Sequence, residues 1–485
     1  MADSPPPLEP NTVDGPTPAC DERRPYKTFG SFFLTITTLG ASAWVFLIGS
    51  VLPSIGDIRL VIIGFICGLL IGASVCVLGV ALPAFRYGFD SVGISKAFLG
   101  VRGALLPLGG VLLTALAWAA VVNSMIARGF VFLVFGHYAT VGASDKSICF
   151  GLYVVGLILC WLLLRGGYQR VQRISNWVGP GFLLVAVICF ILLVARFGFS
   201  GVWISETRTV TLTNDPHMSL AYALELGLSF SLAWWPFIGD LYRMMMYRRH
   251  TVNPFMLGTI CGAGFCSTVA ALGAIHYDTA DPVVWIVRLA GPQWGTLIVA
   301  VVLIMNIPSM ALLTYFAAAA LRELGAADRV GWDYLVAIAL VPVALGAWDT
   351  DGVLVHVTAI ATYGGLMFLS VSAIAVVDFY ILRRGNLNRD DLLGRVGRGH
   401  YWFWGGVNWI AILVLGLGVI AYLATYDPIS MHAKSLFRYL GAGVPIMLVS
   451  GILYFLLMRA LMPVFRLGGY DTRRNSSSDT DGAQP

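Results

Sequence analysis

Three tryptophans stand where a flat ring could be held. Trp118 and the pair Trp234-Trp235 lie inside apolar runs, away from the run ends, where tryptophan collects at membrane interfaces. Stacking a heterocyclic base on an aromatic face is worth about 1–3 kcal/mol. Two such residues on different segments therefore make a candidate sandwich for a planar solute. The polar groups able to orient that solute are few: Asn123, Ser42, Asn306 and Ser309. An amide in hydrocarbon is costly unless bonded, so Asn123 and Asn306 face inward whether they meet a ligand or another helix. An indole in mid-segment is, on the blander reading, core filler.

Two of the runs that carry these residues read as interrupted helices. One is Thr35-Ile36-Thr37-Thr38-Leu39-Gly40-Ala41-Ser42-Ala43-Trp44, with small and hydroxyl residues crowding its middle. The other is Ser229-Phe230-Ser231-Leu232-Ala233-Trp234-Trp235-Pro236. Pro236 removes a backbone donor and clashes with the carbonyl of Leu232. Freed carbonyls in mid-membrane are tolerated only where they face protein, water or a ligand. Those around Gly40 and Ala41, with the face that bears Asn306 and Ser309, form a candidate cation or proton locus. Glu225 is a further candidate proton carrier, because a carboxylate at mid-depth costs about 2.5–3.5 kcal/mol on insertion scales. Asp240 and Arg243, at helical i,i+3 spacing, read as a local ion pair or a gate.

The elements that must position these residues follow from composition. Of 485 residues, 58% are hydrophobic and 12% charged, too few charges to clothe a soluble domain, which carries about 25%. Twelve apolar runs are long enough to cross a ~30 Å hydrocarbon core as helices: 30–52, 60–82, 104–127, 148–164, 177–196, 219–239, 253–275, 293–318, 332–348, 353–382, 402–424 and 438–463. With the N-terminus inside, 23 of the 31 Lys and Arg fall on the inner side. The positive-inside rule then makes both termini cytoplasmic and the chain a multi-pass protein of the plasma membrane. Residues 1–29 and 466–485 are polar and read as disordered cytoplasmic tails; the first lacks the apolar region of a signal peptide. No Lys/Arg run points to nucleic acid. None of the eight Cys has metal spacing; seven lie in or at the ends of apolar runs and read as small apolar filler, and Cys20 lies in the tail.

Gly64, Gly68 and Gly72 on the second run are matched by Gly258 and Gly262 on the seventh. Runs 1 and 6, 3 and 8, 4 and 9, and 5 and 10 are separated by a similar distance. An odd number of spans per copy inverts the second copy, so the layout predicted is a five-plus-five inverted repeat over 30–200 and 219–385, with two further helices over 400–465. No zinc-protease, P-loop or nucleophile-elbow motif is present, and no His–carboxylate cluster, which argues against an enzyme and against ATP-driven pumping.

The residues that surround these features resemble one family. Leu99-Gly100-Val101-Arg102-Gly103-Ala104 with Pro107 and Trp118, Trp234-Trp235-Pro236 with Asp240-Leu241-Tyr242-Arg243, Asn306-Ile307-Pro308-Ser309-Met310, Asp378-Phe379-Tyr380 with Arg383-Arg384-Gly385, and Gly405-Gly406-Val407-Asn408-Trp409 are similar, in order and spacing, to motifs of the nucleobase:cation symporter-1 family, the purine-cytosine permeases, over roughly residues 28–425. The resemblance implies an all-helical, leucine-transporter-like fold of twelve transmembrane helices. It implies import of a purine, cytosine or related heterocycle with co-transported H⁺ or Na⁺, no other cofactor, and the lipid bilayer as surroundings. The solute would sit between aromatic residues of helices 3 and 6. Where the family's helix 3 offers an amide four residues after its Trp, this chain has Val122, with Asn123 one residue late. The second Asn of the N-I-P-N motif is Ser309. Sodium-coupled members place hydroxyls on adjacent helix 8 positions; here Ser309 is followed by Met310. A hard cation wants several oxygens, so H⁺ is the expected coupling ion. The alternatives are another small solute, such as a thiamine- or pyridoxine-like ring or an amino acid, and, further off, a membrane enzyme or sensor.

Overall fold

The computed structural model describes residues 28–135, 143–165, 168–203, 211–322, 330–393, 398–434, 436–465 and 467–470. Most of both terminal tails, 1–27 and 471–485, lies outside the described residues.

The first span is split into α1 (Phe29–Gly40) and α2 (Ala43–Val51). The second runs through α3 (Ile58–Cys76), a π turn at Val77–Ala81 and α4 (Leu82–Tyr87). A short helix, α5 (Ser91–Leu99), precedes the long spans α6 (Leu105–Phe135), α7 (Ala143–Arg165) and α8 (Tyr168–Phe197). The sixth span is again split, into α9 (Pro216–Leu232) and α10 (Trp235–Tyr242). The seventh comprises α11 (Asn253–Thr259), a π turn at Ile260–Gly264 and α12 (Phe265–His276). Then come α13 (Pro282–Ala290), α14 (Pro292–Arg322), α15 (Trp332–Ala344), α16 (Thr350–Val355), α17 (Val357–Val376, continued by a π segment to Leu382), α18 (Arg389–Leu392), α19 (Trp409–Thr425), α20 (Phe437–Leu440) and α21 (Gly443–Phe465). The eleventh apolar run begins later as a helix than its hydropathy suggests. Residues 400–408 form a 3₁₀ turn and a tight loop, and Asn408 then caps α19 by accepting from the Ala411 N–H.

Among the described residues, eight helices are long and apolar enough to cross a membrane unaided, and the bent α1–α2 pair makes a ninth. The split α9–α10 and the shorter apolar helices of α15 and α19 complete twelve.

Packing separates the spans into two groups. In the first, glycine brings backbones together. Span 2 lies on span 6: a Cβ on Gly64 would stand 2.6 Å from the Leu220 carbonyl, and one on Gly72 would stand 2.7 Å from Ser231 Cβ. Span 7 lies on span 1 in the same way, with Gly258 against Ile36 and Gly262 against the Thr37 carbonyl. The glycines singled out as a repeat thus seam each copy to the other. In the second group, α6, α7, α14 and α15, side chains do the packing; Leu303 of α14 fills the notch over Gly129 of α6. α17 packs against α6, α9, α19 and α21.

At one end, Arg383 binds four segments together. Its Nε donates to Asp378 Oδ2 (2.6 Å), Nη1 to the Gly468 carbonyl and Nη2 to the Ala97 carbonyl (both 2.7 Å). The Tyr454 and Tyr470 hydroxyls donate to Asp378 Oδ1. Every charge is met, which is the condition for burying an ion pair. The D-F-Y and R-R-G residues of the sequence therefore build a structural staple.

Candidate substrate and ion site

The split in span 1 is a true change of direction. Ala41 (φ −95°, ψ 89°) and Ser42 (φ −145°, ψ 166°) leave the helix, and α2 departs at 56° to α1. The last carbonyls of α1 lose their helical partners. Gly40 permits the bend's tight seat: a Cβ there would come within 2.9 Å of the Ala263 nitrogen in span 7's π turn.

Trp44, two residues past the break, turns its ring into the protein. It meets Trp118 of α6 with ring centroids 5.7 Å apart and Trp234, between α9 and α10, at 5.8 Å, in both cases edge to face. Trp118 also meets Phe230 edge-on at 5.8 Å. Trp118 and Trp44 are each 5% exposed. A small cavity of about 40 Å³ opens beside Trp234 and Phe230, lined also by Gly40, Leu69, Ser231 and Ala263.

Among the described residues, buried polar atoms without a hydrogen-bond partner include Thr37 Oγ1, Ser42 Oγ and the Trp44 indole nitrogen on span 1, Thr114 Oγ1 one turn before Trp118, and both amide atoms of Asn306 on α14. Leaving such an atom unpaired costs about 1–3 kcal/mol, and native proteins tolerate it where a ligand, ion or water completes the set. Ser309, half-buried one turn beyond Asn306, has its hydroxyl only 3.5 Å from the Met305 carbonyl. α14 packs on α6 and touches α2.

Several sequence-selected residues are turned elsewhere. Trp235 is fully buried and stacks on Phe368 of α17 at 5.1 Å and 13°. Neighbours on a helix point about 100° apart, so Trp234 and Trp235 do not share the slot. Asn123 lies five residues after Trp118, about 140° round the helix. Its amide donates to the Tyr153 carbonyl of α7 at 2.9 Å, so it braces α6 on α7 and stays away from the rings. Glu225 is buried and accepts three hydrogen bonds of 2.8 Å, from the Tyr422 hydroxyl and from the Ala442 and Gly443 N–H groups at the start of α21. A carboxylate at a helix N-terminus meets the positive end of the dipole. These three partners tie α9 to α19 and α21.

The Asp240–Arg243 pair forms at 2.6 Å. It borders a second cavity, of about 230 Å³, lined also by Asp90, Pro236, Phe237 and Tyr315. Ser91 of α5 is a site residue the sequence did not mark. Its hydroxyl donates to the Trp235 carbonyl (2.8 Å) and accepts from the Gly239 N–H (3.0 Å), so it sits inside an i,i+4 pair of α10. Trp44 and Thr114 were also unmarked, because one dimension does not show which ring a helix break aims at another.

Residues 27–442 match the model of the family described as permeases for cytosine/purines, uracil, thiamine and allantoin. The chain belongs to this family. It is a membrane permease and not an enzyme. No curated protein matches it by sequence. Among solved structures, Mhp1, a nucleobase-cation-symport-1 family transporter, in a closed conformation with bromovinylhydantoin bound, superposes with a TM-score of 0.71 at 16% identity, covering 94% of this chain and 96% of that one. Mhp1 in its inward-facing conformation gives 0.74 at 15% identity, covering 93% and 94%. A Na⁺-coupled sialic acid symporter in a substrate-bound outward-open state gives 0.56 at 13% identity, covering 89% and 90%. These likenesses establish the leucine-transporter-like fold for the permease, with its two inverted repeats and two added helices.

Proposed function

We propose that this permease imports a small planar nitrogen heterocycle, of the nucleobase or hydantoin kind, across the plasma membrane by cation symport and alternating access. One observation carries the reading: Trp118 and Trp234 flank the break of span 1, which bears unpartnered buried polar atoms. Mhp1, which shares the fold, has been solved with a hydantoin bound, in keeping with a ring-shaped cargo. Trp118 and Trp234 take the faces of the ring; Ser42 and Ser309 orient it. The carbonyls of Gly40 and Ala41 and the Asn306 amide form the ion locus. H⁺ is the coupling ion in this reading, since Ser309 supplies the only hydroxyl between Asn306 and Met310. Glu225, hydrogen-bonded to Tyr422 and to the start of α21, serves as an anchor in this reading. The cavity at Asp240 and Arg243 is the cytoplasmic vestibule, both termini lie on that side, and the glycine-seamed group of spans 1, 2, 6 and 7 moves against the group of α6, α7, α14 and α15.

The test is uptake of radiolabelled cytosine, uracil, hydantoin and hypoxanthine into proteoliposomes, under an inward pH gradient or an inward Na⁺ gradient. Trp118→Ala and Trp234→Ala should each abolish uptake while leaving the melting temperature of the purified protein within a few degrees. Uptake that survives both substitutions sinks the aromatic slot, and uptake driven by Na⁺ alone overturns the choice of ion.

A further inference from the structure

The three indoles have unequal roles. Trp118 and Trp234 each meet Trp44 rather than each other, and Trp44 lies crosswise to both, at 62° and 70°. A ring held between Trp118 and Trp234 would meet Trp44 at a steep angle, and Trp44 would then close one end of the slot. It belongs to α2, whose first turn is fixed by the break and by span 7 beneath it; a Cβ on Gly49, one turn further along, would clash with the Ser267 backbone of α12. The wall therefore stands on a rigid base.

Trp44 also brings a donor. A buried tryptophan normally finds a partner for its indole N–H, yet the Trp44 nitrogen is buried with none, and the Ser42 hydroxyl two residues earlier is in the same state. The Trp235 nitrogen is also unpartnered, but its ring stacks on Phe368, whereas Trp44 meets both slot indoles. A ligand acceptor at the ring's inner edge would satisfy the Trp44 N–H.

On the reading given under Proposed function, we propose that Trp44 is a specificity-determining residue of the permease: its indole limits the length of the bound ring and its N–H reads a carbonyl oxygen, selecting single-ring carbonyl heterocycles over fused-ring purines. A uracil- or hydantoin-like ring ends at the wall with an acceptor facing the nitrogen. A purine carries a second ring into the space that Trp44 occupies.

The experiment measures binding of tritiated uracil, hydantoin and hypoxanthine to the purified full-length protein, wild type and variants, with melting curves alongside. The wild type should bind a single-ring probe at least tenfold more tightly than hypoxanthine. Trp44→Phe, which keeps a wall and loses the donor, should weaken single-ring binding about tenfold, the worth of one hydrogen bond. Trp44→His, which keeps a ring N–H, should recover part of that loss and carries the test should the phenylalanine variant fold poorly. Trp44→Ala, which removes the wall, should shrink the single-ring preference at least tenfold. Variants that all match the wild type within twofold, in affinity and in preference, overturn the proposal, and so does a wild type that prefers hypoxanthine. A wild type that binds none of the three probes defeats the heterocycle reading itself, and this inference falls with it.

Discussion

Spans 1 and 6 occupy matching places in the two repeats, yet their interruptions differ in kind. In span 6 the residues between α9 and α10 keep helical angles, with Ala233 at φ −61°, ψ −15° and Trp234 at φ −83°, ψ −12°. Their N–H groups still find the Ser229 and Ser231 carbonyls. The chain tightens for one turn, and Pro236 subtracts the donor that the Leu232 carbonyl would have had. In span 1 there is no proline, and the chain leaves the helix for two residues, Ser42 fully extended, and is redirected by 56°. The larger break thus has the weaker local cause. Gly40, Ala41 and Ser42 permit it, but the seat provided by Gly262 and Ala263 of span 7 imposes it. One interruption is written in a single residue; the other is imposed by a neighbouring helix.

That contrast can be broken in three places. The largest effect is expected at span 1's seat. Gly262→Val would drive a side chain into the Thr37 carbonyl and Gly40 Cα, 2.5 and 3.1 Å from its Cβ. Overpacking against backbone should cost about 3 kcal/mol or more, seen as loss of the monodisperse peak in size-exclusion chromatography. Gly264→Ala, whose Cβ would find nothing nearer than 3.8 Å, should melt within a degree or two of the wild type. Equal tolerance of both would mean that span 7 does not dictate the bend.

Next in size is the anchor on α9. Glu225→Ala leaves three buried donors without their acceptor and should cost about 3 kcal/mol, with Glu225→Gln costing about 1–2 kcal/mol. Melting temperatures check both. The glutamine variant should also keep the pH profile of uptake; a flattened profile would return Glu225 to the role of proton carrier.

The smallest effect is expected at the proline. Pro236→Ala restores a donor for the Leu232 carbonyl, stabilising the protein by about 1 kcal/mol while slowing transport, as α9 and α10 fuse. Ser42→Ala, by contrast, should leave the melting temperature unchanged, because no single donor holds span 1 open. A fall in stability on replacing Pro236 would show that the packing around α10 needs the interruption more than the ladder needs the bond.

Much of the fold was legible because the bilayer is an unforgiving solvent. Apolar runs of sufficient length are helices there, and the glycines at 64, 68, 72, 258 and 262 announced backbone contact, though not that each seam joins opposite repeats. The site was legible in part. Trp118 and Trp234 stood out as indoles far from an interface. Asn123 and Glu225 stood out as polar groups in hydrocarbon, and that signal says only that a partner exists. The partner proved to be α7 for one and the start of α21 for the other. The 140° between Trp118 and Asn123 was available from helical geometry alone. Trp44 was not, since its direction depends on a bend of 56° that no run of small residues specifies.

The short helix α5 repays a last look. Its first residue, Ser91, is threaded into the backbone ladder of α10, and Ala97, near its other end, is gripped by Arg383 together with the Gly468 carbonyl. Nine residues thus form a crossbar between the half-helix next to Trp234 and the turn at Gly468. Any displacement of α10 therefore has a direct hydrogen-bonded route to the Arg383 staple.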